Sequence, residues 1–208
     1  VAALQSARQA DGAELAVWLT LPAATAGLTP DGEATVAEFL AAGVDLAGVN
    51  AMTMNYGGSR TSDQTMVEAT EATLEAVQAQ LGDAYEASGE SLDDAALWAK
   101  VAMTPMIGQN DVAEDVLTVE DARQLNDYAR STGLGRVSMW SLNRDASCGV
   151  NYITVTIVSD ACSGVDQDAV LFADVFSTPL DPDAPAPEPA PVAAVGEPLT
   201  PADLDAIA

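Results

Sequence analysis

Four apolar runs recur down this chain, each stopped by proline, glycine or polar residues and each followed by a stretch with helical periodicity. Residues 14–21 form the first run, ended by Pro22. Thr29, Pro30, Asp31 and Glu33 then offer an N-cap, a first-turn proline and first-turn acids. Val36, Phe39 and Leu40 mark one helical face before Gly43. Residues 47–56 predict a second strand, stopped by Gly57 and Gly58. Residues 62–81 predict a long helix, with Met66, Thr70, Thr73, Leu74, Val77 and Leu81 at three- and four-residue steps. A third strand is expected over 100–106, before Gly108. Its helix opens at Thr118 and Asp121, a capping-box start, and turns Ala122, Leu125 and Ala129 inward before Gly133. Residues 136–142 predict a fourth strand and 166–176 a closing helix.

Parallel strands need long crossovers, usually helices, so four strand–helix units in series predict an α/β fold with a parallel sheet. The strands are apolar almost throughout, as buried parallel strands are. Doubly wound sheets and (β/α)8 barrels both satisfy this alternation. Unusual residues gather at the strand C-termini: Asn55 and Tyr56, Gln109 and Asn110, then Trp140, Asn143 and Arg144. No glycine-rich phosphate loop follows any strand, which weighs against a nucleotide site. Barrel sites are built at strand C-termini, so a barrel is the favoured reading.

Composition removes several functions. Seven Lys+Arg stand against 32 Asp+Glu, a net charge of −25, and there is no histidine. A Ser/His/Asp triad, a Cys/His pair and a His-ligated zinc site are therefore excluded from this chain. No metal and no cofactor are expected. Acidity of this degree opposes nucleic-acid binding, which needs basic groups along the phosphates. The uncharged run 15–30 is interrupted by prolines and falls short of the ~20 apolar residues of a membrane span.

Cys148 and Cys162, the two cysteines, flank the β-branched run 152–158, which predicts a strand. A disulfide between them is the favoured reading and points outside the cytoplasm; the alternative is two separate buried thiols. The acidity fits export or a high-salt habitat without separating them. Residues 1–9 read as the back half of a helix, so the chain is expected to begin inside a domain. Eight of the 11 prolines lie at or after Pro179, and no basic residue follows Arg144. The expected organisation is a folded part over 1–178 and an acidic Pro/Ala-rich linker over 179–208.

Three stretches, VNAMTMNYGG (49–58), MTPMIGQNDV (103–112) and RVSMWSLNRD (136–145), resemble the second half of bacterial chitinases of glycoside hydrolase family 18. Residues 19–32, 114–135 and the Cys148…Cys162-Ser163-Gly164 ending fit the same subgroup, so the likeness runs in order over about 1–177. The resemblance implies strands five to eight of a (β/α)8 barrel, with the first half of the barrel as the missing partner. It implies a secreted enzyme acting on chitin or N-acetylglucosamine oligosaccharides. The family's Asp-x-x-Asp-x-Asp-x-Glu motif is absent here and is expected upstream of Val1. The acids at 111–115, 120–121, 166–168 and 181–183 do not replace it and read as caps, loop acids and linker. No catalytic residue is assigned within this chain.

In that family the substrate's own N-acetyl carbonyl attacks the anomeric carbon, so this half is expected to hold the sugar in attack geometry. Trp140 is the expected platform for a pyranose face, and Tyr56 the expected partner of the acetamido group. Met52 and Met54 share the strand parity of Tyr56 and are expected to line the pocket, or simply to fill core. Asn55 stands where the family has aspartate. Gln109 and Asn110 add neutral polar groups. Trp18 and Trp98 read as packing residues or loop anchors, and Arg144 with Asp145 as an exposed ion pair. The competing function is a non-catalytic carbohydrate-binding or cell-surface module on a degenerate barrel.

Overall fold

The computed structural model describes residues 1–150, 152 and 157–180. Helix α1 (Ala2–Ala10) precedes strand β1 (Val17–Ala24), the short β2 (Gly27–Leu28) and α2 (Pro30–Ala41). Strand β3 (Leu46–Met52), α3 (Met66–Ser88), α4 (Asp94–Trp98) and β4 (Val101–Met103) follow. A small hairpin of β5 (Gly108–Gln109) and β6 (Val116–Leu117) leads to α5 (Val119–Thr132), β7 (Arg136–Val137) and α6 (Phe172–Phe176). The main sheet has the order β2-β1-β3-β4-β7; β2 returns antiparallel to β1, and the other pairings are parallel.

Helices α2 to α5 begin where an N-cap side chain can satisfy one of their first N–H groups. Thr29 accepts from the Gly32 N–H, and Pro30 fills the first helical position. Reciprocal capping boxes open α3 (Thr65 with Glu68) and α5 (Thr118 with Asp121). The long helix therefore starts later than the expected 62. It also runs through Gly82 to end at Gly89, whose φ of 90° places it in the left-handed region.

Three expected strands are shorter than their runs: 47–56 gives Leu46–Met52, 100–106 gives Val101–Met103 and 136–142 gives Arg136–Val137. Pro105 has no N–H, and β4 stops at Met103. The path still continues: the Ser138 N–H donates to the Met103 carbonyl, the Trp140 N–H to that of Pro105, and the Ile107 N–H to that of Trp140. The expected helix over 166–176 shrinks to its last five residues because Asp168 and Ala169 hold positive φ angles of 45° and 64°. The expected strand over 152–158 lies mostly outside the described residues, as does the tail beyond 180.

The sheet has two unlike faces. Val49, Ala51, Val101 and Met103 lie in one buried core with Leu74 and Val77 of α3 and Leu125 and Ala129 of α5. Residues of opposite parity carry Trp18, Thr20, Asn50, Met52 and Arg136. Trp18 sits over Gly48, where an added Cβ would come within 2.4 Å of the indole, and the Arg136 guanidinium lies 5.1 Å from the ring centroid. Trp98 meets Tyr128 edge-on at 6.2 Å. Both tryptophans are packing residues, as expected.

Candidate functional site

The chain leaves β3 at Met52, and Asn55 adopts a left-handed φ of 54°. That turn breaks the strand parity on which a shared pocket of Met52, Met54 and Tyr56 depended. Tyr56 emerges on the helix side, 5% exposed, where its hydroxyl donates to Thr70 Oγ1 at 3.2 Å and lies 3.1 Å from Thr73 Oγ1. Burial pushes its pKa up to about 12. The hydroxyl expected to meet an acetamido group is thus a core group of the β3–α3 contact. Met52 remains partly exposed beside Pro22 and Asn50, while Met54 is buried.

Asn55 joins two loops. Its Oδ1 accepts from the N–H groups of Asp111 (2.9 Å) and Val112 (3.3 Å), and its Nδ2 donates to Asp111 Oδ2 at 2.7 Å. The Asn55 N–H donates to Asn110 Oδ1 at 3.1 Å. An aspartate at this position could not donate to Asp111, so asparagine suits the neighbour it has. Beneath this latch, Asp115 is nearly fully buried. Its Oδ1 receives Arg60 Nε and Nη2 at 2.9 and 2.8 Å, and its Oδ2 the Gly57 N–H at 3.3 Å.

Gln109 is equally committed. Its side-chain amide, buried, donates to the Asn110 and Ala113 carbonyls at 3.1 Å each, and its N–H donates to the Ser163 carbonyl at 2.7 Å. Asn110 donates to the Met106 and Gly108 carbonyls at 3.0 Å. Neither amide is free to meet a substrate, so the expected sugar contact of Gln109 gives way to a role in holding the loop. Both carry a polar side chain in a buried turn, where unpaired backbone carbonyls need donors.

The expected Arg144–Asp145 ion pair does not form. Arg144 is completely buried and donates through Nη2 to the Gln109 carbonyl. Asp145 instead accepts from the Phe172 and Ala173 N–H groups at 2.9 and 2.8 Å, and from Gln167 Nε2. It serves as a remote cap for α6, a role hidden in sequence because 27 residues separate the partners. Cys148 and Cys162 form the expected disulfide. It closes the segment whose Ser163 N–H returns to the Ala146 carbonyl at 2.9 Å.

Trp140 alone among the expected site residues projects outward at a strand end. It is 55% exposed, followed by a cis peptide to Ser141 and by the exposed Leu142. Among the described residues, cavities of about 380 and 450 Å³ lie away from Trp140, one between α1 and the start of β3 and one between α2 and α3. The exposure of Trp140 makes the surface around it the candidate site, with Met52 on the same side of the sheet. Among the described residues, no group of three or more acids or cysteines is placed to hold a metal, and no helix is long and apolar enough to cross a membrane. Glu71, whose carboxyl is pushed up by burial and by Glu75 and Glu68, lies on α3 facing Tyr128 rather than at the strand ends.

No protein-family model matches the chain. It is 36% identical over 152 residues to a probable bifunctional chitinase/lysozyme of Escherichia coli (strain K12), spanning 71% of this chain and 17% of that protein. Against endochitinase 11 of Metarhizium anisopliae the identity is 36% over 146 residues, spanning 68% of this chain and 28% of the relative. The crystal structure of the catalytic domain of the hyperthermophilic Pyrococcus furiosus chitinase superposes with a TM-score of 0.68 at 29% identity, covering 85% of this chain and 54% of that one. Catalytic-site mutants of active domain 2 of that organism's chitinase, complexed with chito-oligosaccharides, give the same TM-score. The chain thus spans about half of these solved domains and under a third of the two curated relatives. Similarity of sequence over most of the chain, joined to similarity of fold, means that it belongs to the chitinase family of the glycoside hydrolase family 18 type.

Proposed function

We propose that this chain is part of a secreted chitinase-like glycoside hydrolase acting on N-acetylglucosamine polymers, and that its share of the work is sugar binding. The observation that carries the reading is Trp140, an indole left more than half exposed at a strand C-terminus. An aromatic face there offers apolar contact to a pyranose ring while the strand below holds it still. The sheet, with α2, α3 and α5 against one face and about half the length of a chitinase catalytic domain, supports reading it as strands five to eight of a (β/α)8 barrel. Residues 1–178 would form that barrel half, and 179–208 an acidic linker.

The chemistry that goes with this reading is substrate-assisted retaining hydrolysis, in which the acetamido carbonyl of the sugar attacks the anomeric carbon. The proton donor then belongs to the complementary half. This chain's contribution is to orient the sugar and exclude competing poses, from which large rate effects arise. Gln109 and Asn55 act one step removed, by holding the loops beside Trp140, while Tyr56 serves the β3–α3 core. The disulfide supports passage through an oxidising compartment.

A second reading, a non-catalytic carbohydrate-binding module, is favoured by Asn55. Its amide is bonded to Asp111 rather than offered as a carboxylate near the reacting centre. The test is the full natural polypeptide assayed for binding and cleavage of chito-oligosaccharides. Binding with turnover supports the hydrolase, binding without turnover the module, and neither overturns both.

A further inference from the structure

Arg144 lies in the turn immediately after Trp140, with no surface in solvent. Among the described residues no carboxylate pairs with it. Nη2 donates to the Gln109 carbonyl, while Nε and Nη1 have no acceptor among the described residues. Burial draws its pKa down, against the opposing influence of Asp111, Asp160 and Tyr152. A buried charge with unused N–H groups destabilises a fold, and apolar side chains of similar volume are often as stable or more so in its place. Stability alone therefore does not account for Arg144.

An indole with more than half its surface in solvent is not oriented by packing alone. The backbone on either side must hold it. On the strand side, the Trp140 N–H donates to the Pro105 carbonyl at 2.8 Å and the Trp140 carbonyl accepts from Ile107 at 2.9 Å. On the loop side, the Arg144 N–H donates to the Ser141 carbonyl at 2.9 Å, and the arginine side chain carries the turn across to Gln109. Gln109 is itself a fixed point, tied to Ser163 and to the carbonyls of its own hairpin. Without the arginine side chain the loop would keep its bonds from Asn143 to Asp160 and from Asp145 to α6, but would lose the one that joins it to the Gln109 hairpin beside Trp140.

We propose that Arg144 is a positioning residue for the sugar-stacking surface, tying the turn after Trp140 to the Gln109 carbonyl so that the indole meets an N-acetylated sugar unit in one orientation. This rests on the sugar-binding reading above. Because one bond carries the role, lysine can replace arginine here, unlike at sites where the whole guanidinium fork is engaged.

The test uses the full natural polypeptide as wild type, R144M, R144K, W140A and R144M/W140A, with chito-oligosaccharide affinity, turnover and urea unfolding measured for each. R144M should unfold at the wild-type urea concentration or higher, yet bind about tenfold more weakly, as expected when a contact surface is loosened. Where there is turnover, KM should rise with kcat nearly unchanged, the pattern for lost uniform binding. R144K should restore affinity to within about threefold, a range still below the tenfold loss. In the W140A background R144M should have no further effect, since the arginine acts through the indole. Wild-type affinity in R144M overturns the proposal, as do effects that multiply in the double variant or a loss that follows loss of folded protein. If the wild type neither binds nor cleaves, the sugar-binding reading itself fails, a result separable from any behaviour of the variants.

Discussion

The ends of β3 and β7 look alike in sequence, since each carries an aromatic residue and an asparagine just past an apolar run. In three dimensions they do opposite things. After β3, Asn55 and Tyr56 turn into the protein, one bonded to the loop at 110–112 and the other to α3. After β7, Trp140 faces solvent. The reason is neighbours. β3 lies between β1 and β4, under the β5–β6 hairpin and beside α3, so its polar groups find partners within the chain. β7 is the edge of the described sheet, bonded on one side only. A residue type at a strand end thus says that something must be contacted, while the local packing decides whether that something is the protein or a ligand.

The contrast can be broken by substitutions that separate stability from binding. The largest effect is expected at the locked end. D115A removes the buried partner of Arg60 and should lower stability by about 3–5 kcal/mol, measured by urea denaturation. A loss under ~1 kcal/mol, no more than an exposed pair is worth, would mean that this end is not locked through that pair. W140A should do the reverse. Unfolding should stay within ~0.5 kcal/mol of wild type, while sugar affinity by calorimetry weakens by on the order of 2 kcal/mol.

A smaller effect is expected for N55D, which replaces the donor to Asp111 with a second carboxylate. It should lower stability by about 1.5 kcal/mol in denaturant titrations, and unchanged stability would show that the latch carries no weight. Y56F is the smallest, at about 1 kcal/mol, with sugar affinity untouched. Its pH signature sharpens the point. Burial raises the Tyr56 hydroxyl from 10.0 to about 12, so the folded state holds that proton more tightly than the unfolded chain. Its contribution is complete below about pH 10 and is lost as pH rises through 12. Y56F should remove that share of the alkaline loss and leave the shares of Tyr85 and Tyr128.

Much of the scaffold is legible in sequence because its signals are local. The capping residues Thr29 and Thr118 act within three residues of themselves, and so does Thr65, although the helix it caps starts later than its periodicity predicts. The helix-facing core positions of α3 and α5 follow the three- and four-residue spacing read from sequence. The disulfide was open to the same reading, because two cysteines bracket one short excursion. The surroundings of the expected site residues are not legible in this way; of them, Trp140 alone projects outward at a strand end. Tyr56 was misplaced because a single left-handed residue, Asn55, ends the parity on which strand reasoning rests. Gln109 and Arg144 were misread because their partners are main-chain carbonyls, which leave no trace in residue identity.

What the sequence by itself determined, then, was the strand–helix order, the starts of α2 and α5, the buried faces of α3 and α5 and the family, all of which follow from short-range periodicity and from local motifs. Only the tertiary structure decided which strand-end groups are spent inside the rim and which stay available. That choice depends on contacts between segments 35 to 57 residues apart, such as Arg144 with Gln109 and Asn55 with Val112. Hydrogen bonds of that span are set by how the loops fold over one another, and no local pattern encodes them.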